Sequence, residues 1–400
     1  MALDVFKERG VPIEKQTFDW HDLVPKPISK LNDDAFTRVR IILMNGIEQQ
    51  KNRFMHHLAQ FYGPLRIPLA QIRRAEHHQQ TLVNWLLPPD QSPLETTIGY
   101  EQVAIEVTAM VAQNEPDPYQ AQIYRFGLLE DFDHLYRYSA LMDRIEGKDA
   151  NNILQCYTDV VPGRPASVEH RAPVDDVRNP YDRKAADPLT KIHALTLVGG
   201  EYQARDFYMT VGPMYADPVG RLLYAEIASI EEQHVTQYES LCDPDETPLE
   251  KLMLYELTEV YNYASCVKTE TNPRIKDIWQ RFLDYELGHL HFAMEVFRQI
   301  EKRDPKEIIP ESIPETFSYT SQRDYVRDVL KNEAHLRAKG PEIIDPRKIS
   351  ESEATERYRA MLNSKGSPSD TVAEGWRWRP GTELVMGPGA LQEISARRLQ

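Results

Sequence analysis

Apolar residues recur at three- and four-residue intervals along eight stretches of the chain, and this spacing is typical of amphipathic helices. Prolines and turn residues separate the stretches, in segments such as "LPPDQSP", "NEPDP" and "CDPDETP". Alternating patterns typical of strands are sparse. The sequence therefore predicts an all-α fold with helices over 34–61, 67–87, 94–113, 118–146, 188–215, 217–241, 248–269 and 274–302.

The predicted helices fall into two groups of four, and the short connections within each group favour antiparallel neighbours. Each group is therefore interpreted as an up-down four-helix bundle. The domains we expect are an N-terminal bundle over 1–146, a proline-rich linker over 147–187, a second bundle over 188–302 and a C-terminal extension over 303–400. The linker has no periodicity, and we expect it to be either a mobile strap or a segment packed along the interface of the bundles.

The C-terminal extension carries helical patterns near 321–338 and 350–363. Trp376 and Trp378 follow, each with an arginine beside it, and two tryptophans are unusual in a disordered tail. We therefore expect this part of the extension to pack against a bundle or another subunit.

The two groups of helices resemble copies of one another at an offset of about 155 residues. At that offset the segment "PPDQSPLE" aligns with "DPDETPLE", and Pro118 aligns with Pro273. A shift of two residues places "GIEQQ" (46–50) on "GGEYQ" (199–203). Shared helical periodicity does not by itself align prolines and turn residues, so the sequence indicates an internal duplication.

Acidic residues and histidines occupy the middle of each predicted helix of the second bundle, where a bundle core is usually apolar. Two helices carry a single glutamate and two carry a Glu-x-x-His turn, whose two side chains share one helix face. Burying four carboxylates together is prohibitive unless cations neutralise them. Two divalent metal ions would do so, and the candidate ligands are Glu201, Glu231, His234, Glu256, Glu286 and His289.

This set of four glutamates and two histidines resembles the ligands of the ferritin-like superfamily of di-iron and di-manganese carboxylate proteins. The resemblance implies two tandem ferritin-like four-helix bundles. It also implies a cofactor of two iron ions, with manganese or a mixed pair of metals as alternatives.

The resemblance further assigns roles within the set. Glu231 and Glu286 are implied to bridge the two metals and to take part in catalysis. The remaining ligands are implied to be terminal: Glu201, His234, Glu256 and His289. Glu259, one turn after Glu256, is the competing choice on its helix.

The first bundle departs from this pattern. Its equivalent positions hold one glutamine in place of a histidine and one aspartate in place of a glutamate: Glu48, Glu76, Gln79, Glu101, Asp131 and His134. Three interpretations remain open, namely a weaker or mononuclear metal site, a metal-free core in which Gln79 hydrogen-bonds the carboxylates, and a dinuclear site rearranged around another residue. His77, His78 and Glu130 are the candidate substitutes, although the helical angle directs them away.

Tyrosines and glycines adjoin the candidate ligands of the second bundle. The tyrosines are Tyr202, Tyr255 and Tyr285. An aromatic residue in a bundle is usually part of the core, and the alternative is that these tyrosines hydrogen-bond the ligands or carry an electron. Gly199, Gly200 and Gly288 either leave room for an oxidant or allow close packing of helices.

The 400-residue chain has the composition of a globular protein and a formal net charge of -15. That charge argues against nucleic acid or an anionic membrane as the main partner. No apolar run approaches the length of a bilayer, and the first residues lack the apolar core of a signal peptide. Three cysteines without a CxxC pair exclude a disulfide scaffold, a zinc ribbon and a rubredoxin-type iron centre. We expect a homo-oligomer in the reducing cytoplasm.

The resemblance implies a dinuclear non-haem metal oxidoreductase that acts on dioxygen or hydrogen peroxide, similar to rubrerythrin or manganese catalase. A shell made mostly of carboxylates favours redox chemistry over hydrolysis. Because the sequence has no rubredoxin centre, electrons must come from a separate donor, unless the reaction is a disproportionation. Two alternatives remain open: a non-catalytic metal-binding or assembly protein, and a di-iron oxygenase of an organic substrate.

Overall fold

A computed structural model describes residues 3–379, and almost all of its regular structure is helical. The predicted all-α fold is confirmed. The α-helices are α1 (Ala35–Phe61), α2 (Arg66–Asn84), α3 (Pro93–Asn114), α4 (Pro118–Glu146), α5 (Asn151–Leu154), α6 (Ala166–Glu169), α7 (Pro188–Val211), α8 (Pro218–Glu239), α9 (Pro248–Thr269), α10 (Pro273–Glu301), α11 (Arg323–Glu333), α12 (Glu353–Leu362) and α13 (Pro368–Ala373).

A short antiparallel hairpin, β1 (Arg337–Lys339) and β2 (Glu342–Ile344), lies between α11 and α12. The sequence did not predict this hairpin. Short 3₁₀ helices mark several of the turns in the described chain: Ile13–Lys15, Gly63–Leu65, Pro173–Asp175, Gly212–Met214, Pro305–Glu307 and Asn363–Lys365.

The predicted long helices are all present as α1–α4 and α7–α10, with ends a few residues from those expected. The last six of these begin with a proline, which lacks the N–H that a first helical residue leaves unpaired. Ser92 and Thr247 each form a capping box with a glutamate three residues on, so the two aligned segments encode the same helix start. None of the helices within residues 3–379 combines the length and the apolar composition that crossing a bilayer requires.

The long helices pack as four hairpins, each made of two helices that follow one another in the chain: α1 with α2, α3 with α4, α7 with α8, and α9 with α10. At the centre of the molecule α1 packs along α7. Gly46 and Gly199 lie at this contact, where a Cβ atom on Gly46 would come within 2.8 Å of the Gly199 carbonyl oxygen. Close helix packing therefore explains Gly199.

Hairpins from opposite halves of the chain meet around common polar centres. Gln79 of α2 donates a hydrogen bond to Glu286 of α10, and His134 of α4 lies against Glu231 of α8. The pair α1–α2 thus faces α9–α10, whereas α3–α4 faces α7–α8.

Contacts at the helix ends also join hairpins from opposite halves of the chain. Thr37 at the start of α1 donates to Glu270 after α9, and Thr190 at the start of α7 donates to Glu115 after α3. The predicted grouping of α1–α4 in one bundle and α7–α10 in another differs from this arrangement. The predicted duplication aligns helices of the two halves, and under it a partner from either half would satisfy the same apolar stripe, as in domain swapping.

The linker packs against α4 and α8 and is not a free strap. Arg164 is 1% exposed, and its guanidinium donates to the Phe126 carbonyl oxygen and to Glu130. The short helix α6 places Glu169 against His134. Of the two predicted alternatives, the packed segment is the one observed.

The first described residues form a segment that lies against α10, which the sequence did not predict. The Val11 N–H donates to the Asp284 carbonyl oxygen at 2.7 Å. A Cβ atom on Gly288 would overlap the Val11 carbonyl oxygen, so Gly288 also serves close packing. Gln16 of this segment reaches Nε2 of His289 at 2.7 Å.

The C-terminal extension folds back on α4, α8 and the linker. Its helices α11 and α12 correspond to the two predicted helical segments. The indole N–H groups of Trp376 and Trp378 donate to Asp143 and Asp149 at 2.9 and 3.0 Å. The predicted packing of these tryptophans is confirmed, and residues 380–400 of the extension lie outside the described residues.

Candidate metal centre

Two groups of buried polar side chains lie within the packed helices, each lined by two hairpins. The histidine cluster comprises Glu101, Asp131, His134, Glu201, Glu231 and His234, from α3, α4, α7 and α8. The lysine cluster comprises Glu48, Lys51, Glu76, Gln79, Glu256, Glu259, Glu286 and His289, from α1, α2, α9 and α10. Each of these residues is at most 3% exposed.

Glu231 lies at the centre of the histidine cluster. Its Oε1 is 3.2 Å from Nδ1 of His134, and its Oε2 is 3.1 Å from Nδ1 of His234. The same His234 nitrogen lies 3.2 Å from Asp131 Oδ1. Ligand atoms lie within 4.8 Å of one another in two groups that share Glu231: Asp131, Glu201, Glu231 and His234 in one, and Glu101, His134 and Glu231 in the other. Two cations held by these two groups would lie side by side.

Each histidine of this cluster contacts a further carboxylate through its outer nitrogen. His234 Nε2 lies 2.7 Å from Glu130 Oε2, and His134 Nε2 lies 3.2 Å from Glu169 Oε2. Such a partner fixes the orientation of the ring and leaves Nδ1 to face the centre, as in metal-binding imidazoles. Glu130, considered as a substitute ligand, therefore lies outside the ligand set. Glu169 was missed because the linker offers no periodicity.

Two buried arginines hold Glu130 in place. Arg171 donates to both of its oxygens, at 2.5 and 3.1 Å, and Arg164 donates to Oε1 at 2.9 Å. Burial raises the pKa of Glu130, but Arg171 and the other cationic neighbours outweigh burial and hold that pKa well below its usual range. Glu130 thus remains a carboxylate that accepts a hydrogen bond from His234.

Burial and the pairing of carboxylates with histidines shift pKa values in the histidine cluster in opposite directions. Burial raises the pKa of Glu101 well above the usual range. Burial also raises the pKa of Glu231, but hydrogen bonds from His134 and His234 outweigh it, so the net shift is downward. Glu101 Oε2 and Asp131 Oδ2 are buried and accept no hydrogen bond from any residue in 3–379. Buried oxygens without a donor also occur in the lysine cluster, on Glu48, Glu76, Glu256 and Glu259, so they do not by themselves distinguish the two clusters.

An ammonium group occupies the middle of the lysine cluster. Lys51 Nζ lies 2.6 Å from Glu76 Oε1 and 2.6 Å from Glu256 Oε2. It also donates to Glu286 at 3.0 Å and to Glu259. Burial lowers the pKa of Lys51, but the surrounding carboxylates outweigh burial and raise it well above the usual range. Lys51 is therefore a permanent cation within this cluster.

Gln79 and His289 complete the lysine cluster. Gln79 Nε2 donates to Glu48 Oε1 at 3.1 Å and to Glu286 Oε1 at 2.5 Å. His289 Nε2 faces the amide oxygen of Gln16 at 2.7 Å, where the histidine cluster uses carboxylates. Gln79 thus hydrogen-bonds carboxylates, as the metal-free interpretation expects.

Aligned positions in the two halves account for the difference between the clusters. The position of Lys51 in α1 corresponds to Ala204 in α7, and that of Glu259 in α9 corresponds to Ala104 in α3. Ala104 and Ala204 both line a small, mostly apolar cavity beside Glu201. Of the histidine cluster, only Glu201 lines this cavity, and the two aligned positions hold alanines where the lysine cluster has an ammonium and its carboxylate partner.

The six predicted ligands do not form one site. Three lie in the histidine cluster: Glu201, Glu231 and His234. Three lie in the lysine cluster: Glu256, Glu286 and His289. The predicted second set divides in the same way, into Glu101, Asp131 and His134 on one side and Glu48, Glu76 and Gln79 on the other. Glu231 and Glu286 lie in different clusters because hairpins from opposite halves of the chain pair with each other. The prediction that both glutamates bridge the same two metal ions is therefore wrong.

His77 and His78 do not enter either cluster. His77 is exposed, and His78 is half-buried against Phe18, with ring centroids 5.2 Å apart. A dinuclear site rearranged around these two histidines therefore does not match the geometry.

The tyrosines that touch the clusters are not those that adjoin the candidate ligands in the sequence. Tyr208 donates to Glu101 Oε1 and Tyr263 donates to Glu48 Oε1, both at 2.5 Å. Tyr255 instead accepts a hydrogen bond from a glutamine of α1. Both cluster contacts join helices from opposite halves, so proximity in the sequence gave no signal for them.

Comparisons of the chain with protein-family models, with curated protein sequences and with solved structures find no match. Function is therefore inferred from the donor atoms, the burial and the charge of the two clusters.

Proposed function

We propose that the histidine cluster binds two iron or manganese ions and that the protein is an oxidoreductase acting on dioxygen or hydrogen peroxide. The observation that carries the proposal is the donor set: each of four helices supplies one carboxylate, and two of them add a histidine three residues later. Asp131 with His134 on α4, and Glu231 with His234 on α8, form these two turns. The set resembles the ligands of ferritin-like dinuclear proteins, here on the hairpins α3–α4 and α7–α8.

Charge supports two divalent ions in the histidine cluster. Four carboxylates converge there, and the ion-pair partners that residues 3–379 give them are histidines. Burial lowers the pKa of both histidines, but the surrounding carboxylates outweigh burial and raise it well above the usual range, so metal binding would displace protons from them. With the histidines neutral, two divalent cations would balance the four negative charges. The lysine cluster already contains a cation, because Lys51 contacts four of its carboxylates.

Residues of the chain orient this proposed site. The two oxygens of Glu231 face different histidines, which suits a carboxylate that bridges two ions. Glu130 and Glu169 keep Nδ1 of the two histidines directed inward. When bound, the metal pair supplies the Lewis acidity and the electrons for cleavage of an O–O bond.

A cavity beside Glu201 favours a small oxidant over a bulky organic substrate. Mostly apolar side chains and Gly200 line it, and it has room for about one water-sized molecule. Dioxygen and hydrogen peroxide fit such a space. Pockets that hold larger organic ligands usually have volumes of about 300 Å³ or more.

The electrons for reduction come from outside the chain in this proposal. Cys156, Cys242 and Cys266 are free, and the sequence has no CxxC pair to hold an iron centre. A separate one-electron donor, or disproportionation of peroxide, completes the reaction. Free cysteines agree with the reducing cytoplasm as the proposed location.

Replacing Glu231 with glutamine is expected to abolish turnover of peroxide or dioxygen. The substitution removes the carboxylate that lies between both histidines, so we expect metal to be lost and the rate to fall by more than about 100-fold. The measurements are peroxide consumption and oxygen uptake by metal-loaded protein, together with its metal content.

Glu76→Gln is the matched control, because Glu76 holds the aligned position in the lysine cluster. We expect this variant to retain both its metal and most of its turnover. If Glu76→Gln lost as much metal and turnover as Glu231→Gln, the active site would be assigned to the lysine cluster. Metal-loaded wild-type protein that is inert towards both oxidants would leave only a non-catalytic, metal-binding role.

A further inference from the structure

Three tyrosine rings form a continuous path from the histidine cluster to the surface. The Tyr208 hydroxyl donates a hydrogen bond of 2.5 Å to Glu101 Oε1. The Tyr208 ring packs against that of Tyr224, with centroids 5.9 Å apart, and the Tyr224 ring stacks on Tyr215 at 5.4 Å. Tyr208 and Tyr224 are buried, whereas Tyr215, in the turn between α7 and α8, is partly exposed.

Neighbouring side chains hold these rings in place. The ring of Tyr138 lies 5.2 Å from that of Tyr208 and 4.9 Å from that of Tyr224. The Tyr224 hydroxyl lies 2.7 Å from Thr97 Oγ1. Electron tunnelling falls steeply with distance, so phenol rings in direct contact provide a favourable route for single electrons.

The lysine cluster has no equivalent chain of tyrosines among the described residues. Tyr263 donates to Glu48, but its oxidisable neighbour is Trp279, which is fully buried, with ring centroids 6.1 Å apart. Phe282, which is not readily oxidised, lies on its other side. Within residues 3–379, only the cluster proposed to bind metal is therefore joined to solvent by tyrosine rings in contact.

We propose that Tyr208, Tyr224 and Tyr215 carry single electrons from a one-electron donor at the α7–α8 turn to the histidine cluster. The proposal rests on the function proposed above, because dioxygen or peroxide at that cluster is the oxidant. It names the place at which an external donor delivers electrons.

Each transfer balances in electrons and protons. With an oxidised metal pair bound in the histidine cluster, Tyr208 would give one electron to the metal and its phenolic proton to Glu101 Oε1, along the existing hydrogen bond, and would become a neutral tyrosyl radical. An electron that arrives through Tyr215 and Tyr224 reduces this radical, and the proton returns from Glu101. Two such cycles oxidise two molecules of donor and, with two protons from solvent, convert one hydrogen peroxide into two waters.

The test is electron paramagnetic resonance of iron-loaded protein frozen shortly after mixing with hydrogen peroxide, with ring-deuterated tyrosine in a parallel sample. We expect wild-type protein to form a tyrosyl radical whose spectrum narrows on deuteration. Tyr208→Phe is expected to lose this radical at unchanged iron content, whereas Tyr263→Phe, the matched control at the lysine cluster, is expected to keep it. Tyr215→Phe is expected to keep the radical and to lose most of its reduction by added ferrocyanide.

The outcomes separate the relay from the function on which it rests. Wild-type protein that takes up iron and consumes peroxide without forming a tyrosyl radical would overturn the relay and leave the proposed function intact. The same radical in Tyr208→Phe would also overturn the relay, because Tyr208 is its first member. Failure of wild-type protein to take up iron or consume peroxide would refute the proposed function and the relay together.

Discussion

Lysine in place of Ala204 is expected to empty the histidine cluster of metal. Ala204 holds in α7 the position that Lys51 holds in α1, and both Ala204 and Ala104 line the cavity beside Glu201. An ammonium group there would pair with the carboxylates proposed to bind metal, as Lys51 pairs with those around it. We expect metal content to fall from two ions per chain to none and peroxide turnover to be lost with it, as measured by elemental analysis and activity assay.

Ala204→Met is the matched control, because methionine fills a similar volume without adding a charge. This variant is expected to retain its metal. Full metal content in Ala204→Lys would contradict the proposed equivalence between the ammonium of one cluster and the metal ions of the other.

The opposite exchange is expected to create a second dinuclear site in the lysine cluster. Lys51→Ala removes the ammonium, and Gln79→His restores the histidine found at the aligned position of α8. The remaining donors are already buried there: Glu48, Glu76, Glu256, Glu286 and His289. The double variant is expected to bind four metal ions per chain and wild-type protein two, as measured by elemental analysis after metal loading.

Lys51→Ala alone is the control for the double variant. It leaves fully buried carboxylates without their cation, and breaking a buried ion pair in this way costs about 3–5 kcal/mol in the free energy of unfolding. Urea denaturation of metal-free protein measures this loss, and divalent metal is expected to restore stability in the double variant. Two ions per chain in the double variant would show that the lysine cluster has lost the geometry of a metal site.

Periodicity and turn residues are sufficient to predict the long helices, as α9 shows. The pattern predicts it over 248–269, and it runs over Pro248–Thr269 because Thr247 caps its first turn and Pro248 starts the helix. Periodicity cannot decide which hairpins meet. The predicted duplication aligns α1 with α7 and α3 with α9, so both possible pairings would bury similar apolar faces. The residue types of the site were therefore predictable, but their division between two clusters was not.

The sequence contains a signal that Lys51 belongs to the site, although this was not predicted. Lys51 follows Glu48 by three residues and so shares a helix face with a candidate ligand, but such a pair is usually exposed to solvent. The sequence contains no such signal for Glu169 and Tyr208, because their partners lie 35 and 107 residues away in the chain. Contacts of that kind follow from the packing of the hairpins.

Anomalous diffraction at the iron and manganese absorption edges is the most direct test of the proposal that the histidine cluster binds metal and the lysine cluster does not. The crystals are grown from protein purified without chelator and loaded with either metal. We predict two peaks bordered by the carboxylates of the histidine cluster, Glu101, Asp131, Glu201 and Glu231, and none beside Lys51. Peaks within the lysine cluster, or a histidine cluster that stays empty after loading, would contradict the proposed metal centre.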